Sequence, residues 1–242
     1  MTVLQVEDLT VRYGGVTAVD GVTFAVPAGS LTGLIGPNGA GKTSLIDALT
    51  GMTRSKGTVV YQGRRIEGLP AHRRSRLGLV RTFQSVELFK ELTIRENLQT
   101  YAKNHDADRA IEEALVAVDL RWAADRYPSE LSHGQSRLAS VARALAARPD
   151  FLLLDEPAAG LDAEESQWLG RRLRQLVDER GLSILLIDHD VDLIMKVSDH
   201  VLVLNFGRLI AEGPPEAVRR NPQVAEAYLG ASAETTHSAV II

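Results

Sequence analysis

Cysteine is absent from the 242 residues, which excludes disulfides and thiolate metal sites and fits a reducing compartment. The six histidines (His72, His105, His133, His189, His200 and His237) are scattered, with no metal-ligand spacing. No apolar run approaches the ~20 residues needed to cross a bilayer. The opening MTVLQVEDLTV lacks the basic start and apolar core of an export signal. A cytosolic construction is therefore expected, with any membrane role coming through a partner. Basic charge is not in excess either. A net charge of −4 gives no support to nucleic-acid binding by bulk electrostatics. What is present is ordinary for a globular protein, 45% hydrophobic and 24% charged, with enough chain for a real core.

The most informative stretch is Gly36-Pro37-Asn38-Gly39-Ala40-Gly41-Lys42-Thr43-Ser44. It follows an apolar run over 31–35 and opens onto helical spacing at Leu45, Ile46 and Leu49, which stops at Gly51. Strand, glycine-rich loop and helix form the context that a G-x-x-x-x-G-K-[ST] phosphate loop requires. Gly36, Gly39 and Gly41 let backbone amides curl around phosphate oxygens where a Cβ would block the approach. The helix start directs its positive dipole end at those oxygens. Lys42 supplies a mobile ammonium for the β- and γ-phosphates, and the Thr43 hydroxyl can ligate Mg²⁺. The chain is expected to bind a nucleoside triphosphate.

Residues 4–13 run near period two, as do Val22, Phe24 and Val26, with a turn at Gly14-Gly15 between them. They predict an antiparallel flap ahead of the phosphate loop. A second hairpin is expected over 58–66. The basic residues of 64–81 are interleaved with leucine and glycine and read as a solvated helix face. A short buried strand is expected over 77–80, with Gln84 just past its end. From 93 to 148 the pattern is helical: Ile111, Leu115 and Val118 share one face, and Leu138, Val141 and Leu145 share another, in a helix over 136–148 closed by Pro149. Strand and helix patterns then alternate through 151–204, with fully apolar strands that suit a parallel sheet covered on both faces. The expected fold is an α/β P-loop NTPase core of the RecA-like kind, with an N-terminal antiparallel β flap and an inserted α-helical subdomain. Residues 1–85 and 150–230 would form the core and 86–149 the helical insert, within a single domain of 1–230. The end, 231–242, shows no periodicity and reads as a disordered tail.

The run Phe151-Leu152-Leu153-Leu154-Asp155-Glu156 ends a buried strand in two carboxylates. The first is placed to hold Mg²⁺, and the second to take a proton from an attacking water. Glu130-Leu131-Ser132-His133-Gly134-Gln135 precedes a helix, with Ser132 as N-cap and Gly134 leaving the amides accessible. Alone this is an ordinary helix start. Beside a phosphate loop it is a second anion-binding helix terminus, which a chain could use by pairing with a copy of itself.

At this point the sequence resembles the ATP-binding subunits of ABC transporters, over nearly its whole length. Leu131-Ser132-His133-Gly134-Gln135 is similar to the family signature LSGGQ, with His133 in place of its first glycine. Tyr13 matches the aromatic that stacks on adenine and Gln84 the loop glutamine. Gly160-Leu161-Asp162 matches the dimer-contacting loop, with Gly160 where alanine is commoner, and His189 the switch histidine. The resemblance implies ATP and Mg²⁺ as cofactors. It assigns catalysis to Glu156, His189 and Gln84, and metal contact to Thr43, Gln84 and Asp155. Nucleotide contact falls to Tyr13, the phosphate loop, Ser132, Gly134, Gln135 and Asp162. It also implies two cassettes, identical or paralogous, with two ATP sandwiched between them on the cytoplasmic face of the inner membrane. Permease subunits would dock near Val86, Leu88 and Phe89, and a substrate-binding protein would take part only indirectly. Finer wording (Arg81-Thr82-Phe83-Gln84 running into Val86 to Phe89 with Glu96-Asn97-Leu98 beyond, Pro157 through Asp162, and Asn221-Pro222 through Gly230) resembles the branched-chain amino acid uptake family. Urea and short-amide importers share much of it.

Two other function classes compete. A GTPase needs an Asn-Lys-x-Asp guanine reader, and no asparagine here is followed by lysine. A small-molecule kinase would not carry Ser132-His133-Gly134-Gln135 before a helix. A soluble ABC ATPase of translation or DNA repair would usually show two nucleotide units or a long coiled-coil insert, and neither is visible.

Overall fold

The computed structural model describes residues 1–83, 88–102 and 106–228. Alternating apolar residues pair β1 (Thr2–Tyr13) with β2 (Val16–Pro27) in antiparallel register, Val6 opposite Phe24 and Leu9 opposite Val22. All five residues of β3 (Leu31–Ile35) are buried, and the phosphate loop carries the chain from there into α1 (Lys42–Thr50), capped by Gly51 in the left-handed region. The flap is completed by β4 (Lys56–Tyr61) and the two-residue β5 (Arg64–Arg65), in the sheet order β2-β1-β4-β5. After α2 (Ala71–Arg76) comes β6 (Leu79–Arg81). Three helices follow, α3 (Ile94–Gln99), α4 (Ala107–Ala117) and α5 (His133–Ala146). Then β7 (Phe151–Asp155), α6 (Ala163–Arg180), β8 (Ser183–Ile187), α7 (Val191–Val197) and β9 (His200–Asn205) alternate. The antiparallel β10 (Arg208–Gly213) and the short α8 (Pro215–Arg219) come last among the named elements.

The second sheet runs β10-β9-β3-β8-β7-β6, and the five strands from β9 to β6 pair in parallel. Strands β3, β7 and β8 are buried along their whole length, which explains their continuous apolar runs. Leu34, Leu153, Leu185 and Leu202 face α1 and the flap in one core cluster. Ile35, Leu154, Leu186 and Val203 face α3 to α7 in the other. Helix α1 thus lies between two sheets, and the loop before it opens at the carboxyl ends of β3, β7 and β8. That edge is where open α/β sheets bind ligands.

Several boundaries differ from the sequence reading. Helix α5 starts at His133, because Ser132 Oγ accepts from the Gln135 N–H at 3.1 Å while Gln135 Oε1 accepts from the Ser132 N–H at 3.0 Å. The apolar periodicity begins only at Leu138, and the expected start at 136 lies inside the first turn that this cap opens. Its end comes before Pro149, where Arg148 turns to φ +48°. The basic stretch is not simply a solvated face. Arg74 is 2% exposed and donates to the carbonyls of Ala48, Leu49, Glu67 and Leu69, closing the carboxyl end of α1. The expectations for Gln84 and Val86, and for the tail 231–242, lie outside the described residues.

Candidate nucleotide site

The phosphate loop is built by backbone collisions avoided. A Cβ at Gly36 would come within 2.1 Å of the Leu204 carbonyl oxygen, and one at Gly41 within 2.3 Å of the Ala18 carbonyl oxygen. Their bare Cα atoms therefore let the loop lie on β9 and β2, whereas Gly39, at φ +78°, has open space around it. The glycine requirement at Gly36 and Gly41 thus comes from the chain's own backbone. Helix α1 begins with no side-chain cap and no acidic residue in its first turn. Its leading N–H groups and positive dipole end are left for an anion. Pro37, Asn38 and Ala40 line a cleft of about 400 Å³ on one side of the loop, opposite Asn205, Phe206 and Glu226, but none of the catalytic candidates lines it.

Lys42 is buried, and its ammonium donates to the carbonyls of Gly36 at 2.7 Å and Pro37 at 3.1 Å. Burial lowers its pKa, while Glu156 and Asp155 pull it back up. This places the three residues in one electrostatic group. Asp155 ends β7 beside Ile187 of β8, 4% exposed, and burial pushes its carboxyl up while Arg81 holds it down. The Glu156 carboxylate lies 2.7 Å from His189 Nε2, and Glu156 itself sits in the left-handed region at φ +52°. Thr43 is exposed on the first turn of α1, and Tyr13 is 47% exposed at the end of β1. A carboxylate and a hydroxyl are hard oxygen donors. They suit Mg²⁺, which keeps several waters and takes few protein ligands besides phosphate oxygens.

Ser132, Gly134 and Gln135 are not part of this group. Among the described residues no hydrogen bond links them to the phosphate loop; Ser132 and Gln135 bond each other, and Gly134 lies against Leu161 and Glu165. Asp162 caps α6, accepting from the N–H groups of Glu164 and Glu165.

The sequence reading missed two supporting residues. Asp188 is buried and accepts from the N–H groups of Ala158 and Asp190, which ties the loop after Glu156 to the segment carrying His189. Burial raises its pKa, and the backbone donors offset part of that rise. Arg81 was read only as part of a family-like run. Its guanidinium donates to Asp155 Oδ2 at 2.9 Å and to Asp47 Oδ1 of α1 at 2.5 Å. A lone arginine at a strand end gives no sequence signal for such a bridge.

Arg81 and Asp155 side chains are 7% and 4% exposed, so removing the cation leaves an uncompensated buried carboxylate. Breaking such a pair costs about 3–5 kcal/mol. Arg174, by contrast, meets Asp178 and Asp199 near the surface with a side chain 28% exposed. That pair is worth at most about 1 kcal/mol. Arg81→Met should therefore lower the unfolding midpoint in urea far more than Arg174→Met. Equal losses would mean that Asp155 does not depend on Arg81.

The geometry describes a phosphate-binding loop with a buried lysine, facing a strand end with two carboxylates and a histidine. Residues 19–159 match the ABC transporter family, more than half of the chain. The chain belongs to the ABC transporter family. A further stretch of this ABC transporter cassette, residues 208–234, matches the branched-chain amino acid ATP-binding cassette transporter family. The cassette is 41% identical to the high-affinity branched-chain amino acid transport ATP-binding protein BraF of Pseudomonas aeruginosa, covering 94% of this chain and 98% of that protein. It is 39% identical to the corresponding protein LivG of Escherichia coli K12, covering 94% and 97%. Among solved structures it is similar to the ADP conformation of an ATP-binding cassette of an ABC transporter. That match has a TM-score of 0.87 at 30% identity, covering 95% of this chain and 99% of that one.

Proposed function

We infer that this cassette is the ATP-binding and ATP-hydrolysing subunit of an importer for branched-chain amino acids. The observation that carries the catalytic half is the grouping of Lys42, Asp155, Glu156 and His189 at one sheet edge. The substrate half rests on similarity to BraF and LivG over almost their whole length, together with the match at 208–234.

In this reading Lys42 and the amides at the start of α1 bind the β- and γ-phosphates, and Tyr13 stacks on adenine. Thr43, Asp155 and Gln84 would hold Mg²⁺, which would offset the charge of the phosphate oxygens. Glu156 accepts the proton of the attacking water, and His189, whose Nε2 lies 2.7 Å from Glu156, reports on the γ-phosphate. Two cassettes, identical or paralogous, enclose two ATP molecules, and Ser132, Gly134, Gln135 and Asp162 of each serve the other's nucleotide. Residues 1–85 and 150–230 form the nucleotide core, with 86–149 as the helical insert.

No helix among the described residues is long and apolar enough to cross a membrane. In this reading separate permease subunits form the path, and the cassette works on the cytoplasmic face of the inner membrane. Phe89 suits their docking. It is 51% exposed, and its backbone is bracketed by the buried Asn97, whose amide accepts from the Phe89 N–H at 2.8 Å and donates to its carbonyl at 3.0 Å. A groove of about 250 Å³ lined by Met52, His72, Phe83 and Tyr101 offers a second apolar surface. Leu88, however, turns inward into the core at 9% exposed. The docking surface is narrower than the sequence implied.

The test is ATP-driven uptake into vesicles carrying the assembled complex. Labelled leucine, isoleucine or valine should accumulate, and Phe89→Ala should sharply reduce uptake while leaving the free subunit's melting temperature within a few degrees. Accumulation of urea or a short amide instead would reassign the substrate. Recovery of the cassette with ribosomes or DNA, and not with a membrane protein, would overturn the transport reading.

A further inference from the structure

His133 and Gly160, which both depart from the wider ABC transporter pattern, meet in space. A Cβ built on Gly160 would lie 2.6 Å from His133 Cδ2 and 3.2 Å from its Nε2. The imidazole therefore rests on the bare Cα of Gly160, in room that a methyl group would need. Gly160 also sits at φ +83°, where glycine is favoured on backbone grounds alone. The reverse contact occurs one residue along each segment. A Cβ on Gly134 would lie 2.8 Å from Leu161 Cδ2 and 3.4 Å from Glu165 Oε2. Residues 133–134 and 160–161 thus interdigitate, side chain over glycine and glycine under side chain.

We propose that His133 and Gly160 are a matched pair of positioning residues, which fix the first turn of α5 against the loop between Glu156 and α6. The inference rests on the sandwich reading above. That loop starts at the base Glu156 and is held by three hydrogen bonds: the Ala159 N–H donates to the Glu156 carbonyl, the Leu161 N–H to the Ala158 carbonyl, and the Ala158 N–H to Asp188. It ends at Asp162, the cap of α6. One end of the loop therefore belongs to this chain's own site. Through His133 on Gly160, the loop also sets where Ser132 and Gly134 stand, and they face the partner's phosphate. His133 and Gly160 are exposed in the single chain, but the adjoining Gly134 is buried under Leu161, and that close packing passes a shift of the loop on to the start of α5. A misfit at this contact moves the two phosphate ligands without touching Lys42 or Tyr13. Its effect falls on association of the two copies, not on nucleotide capture by one.

The experiment is a double-mutant cycle in the Glu156→Gln chain, where ATP-bound dimers are not consumed by hydrolysis. Sizing measures the ATP-dependent association of four proteins: the parent, Gly160→Ala, His133→Gly, and both together. Nucleotide binding to dilute, monomeric chain is titrated alongside. Gly160→Ala should weaken association about tenfold in the presence of His133. In the His133→Gly background the same change should weaken it by no more than about threefold, because the steric conflict has gone while the backbone strain at 160 remains in both arms. Monomer affinity for nucleotide should stay within about twofold throughout. If Gly160→Ala costs the same in both backgrounds, only backbone strain is at work and the pairing is wrong. If it lowers monomer affinity equally, the contact is merely structural, and the positioning role fails. The parent arm separates the two readings. Failure of the Glu156→Gln chain itself to associate with ATP would remove the sandwich and the pair together, whereas association without coupling removes the pair alone.

Discussion

Replacing Glu156 by glutamine should leave ATP binding intact and cut turnover by about 100- to 10,000-fold, the usual loss when a general base is removed. The side chain is 12% exposed and lies 2.7 Å from His189 Nε2, so an amide of the same shape can keep that contact. The Glu156 N–H donates to the Ile187 carbonyl at 2.8 Å, and this backbone bond survives the exchange. Only proton acceptance is lost. A left-handed backbone at a non-glycine residue costs of order 1–3 kcal/mol and persists where the surroundings impose it. Here β7 and β8 impose it, holding the carboxylate at the sheet edge beside Lys42. The variant should accumulate as an ATP-dependent dimer. Phosphate release gives the decision: turnover within a few-fold of the parent would take the base role away from Glu156.

The sheet and its edge were legible because their signals are local. Four apolar residues before Asp155-Glu156 can only be a strand buried on both faces, and Gly36 through Ser44 needs a strand before it and a helix after it. The flap was legible for the same reason, since period two with a glycine turn leaves few alternatives. What the sequence hid was long-range charge. Arg74 and Arg81 lie among exposed basic residues in the chain, yet one closes the end of α1 and the other spans Asp47 and Asp155. Nothing local marks an arginine whose partners are 26 or 74 positions away. Asp188 was hidden likewise, because its partner Ala158 sits on another strand's loop. The start of α5 was legible only through its cap. Ser132 and Gln135 at the spacing of a capping box outrank the apolar periodicity that begins at Leu138. The substrate was never legible in the site, because no residue of the nucleotide group would touch an amino acid; that inference came from resemblance along the whole chain.

Mixing two inactive variants should restore activity that neither has alone. Lys42→Ala removes an ammonium that would bond to charged phosphates, interactions worth about 1.5–3 kcal/mol, so its nucleotide affinity should fall by about one to two decades. Ser132→Arg leaves Lys42, Asp155 and Glu156 untouched, since within one chain no hydrogen bond among the described residues joins Ser132 to them. It also removes the α5 cap, which costs about 0.5–2 kcal/mol. Loss of activity in that variant alone could therefore be local damage. The mixture separates the two causes. A head-to-tail dimer of one chain of each kind has one site with both defects and one site with neither. Random pairing makes half of all dimers mixed, so independent sites should return about a quarter of parent turnover. Local damage at α5 predicts no recovery, because the damaged helix is present in every mixed dimer but would then disable its own chain's intact phosphate loop. If turnover does not return while Glu156→Gln chains still associate with ATP, the Ser132→Arg chain titrated alone with ATP decides the cause: weakened binding marks local damage at α5, and unchanged binding marks two sites that fire only together. If neither occurs, Ser132 does not serve a neighbour's nucleotide at all.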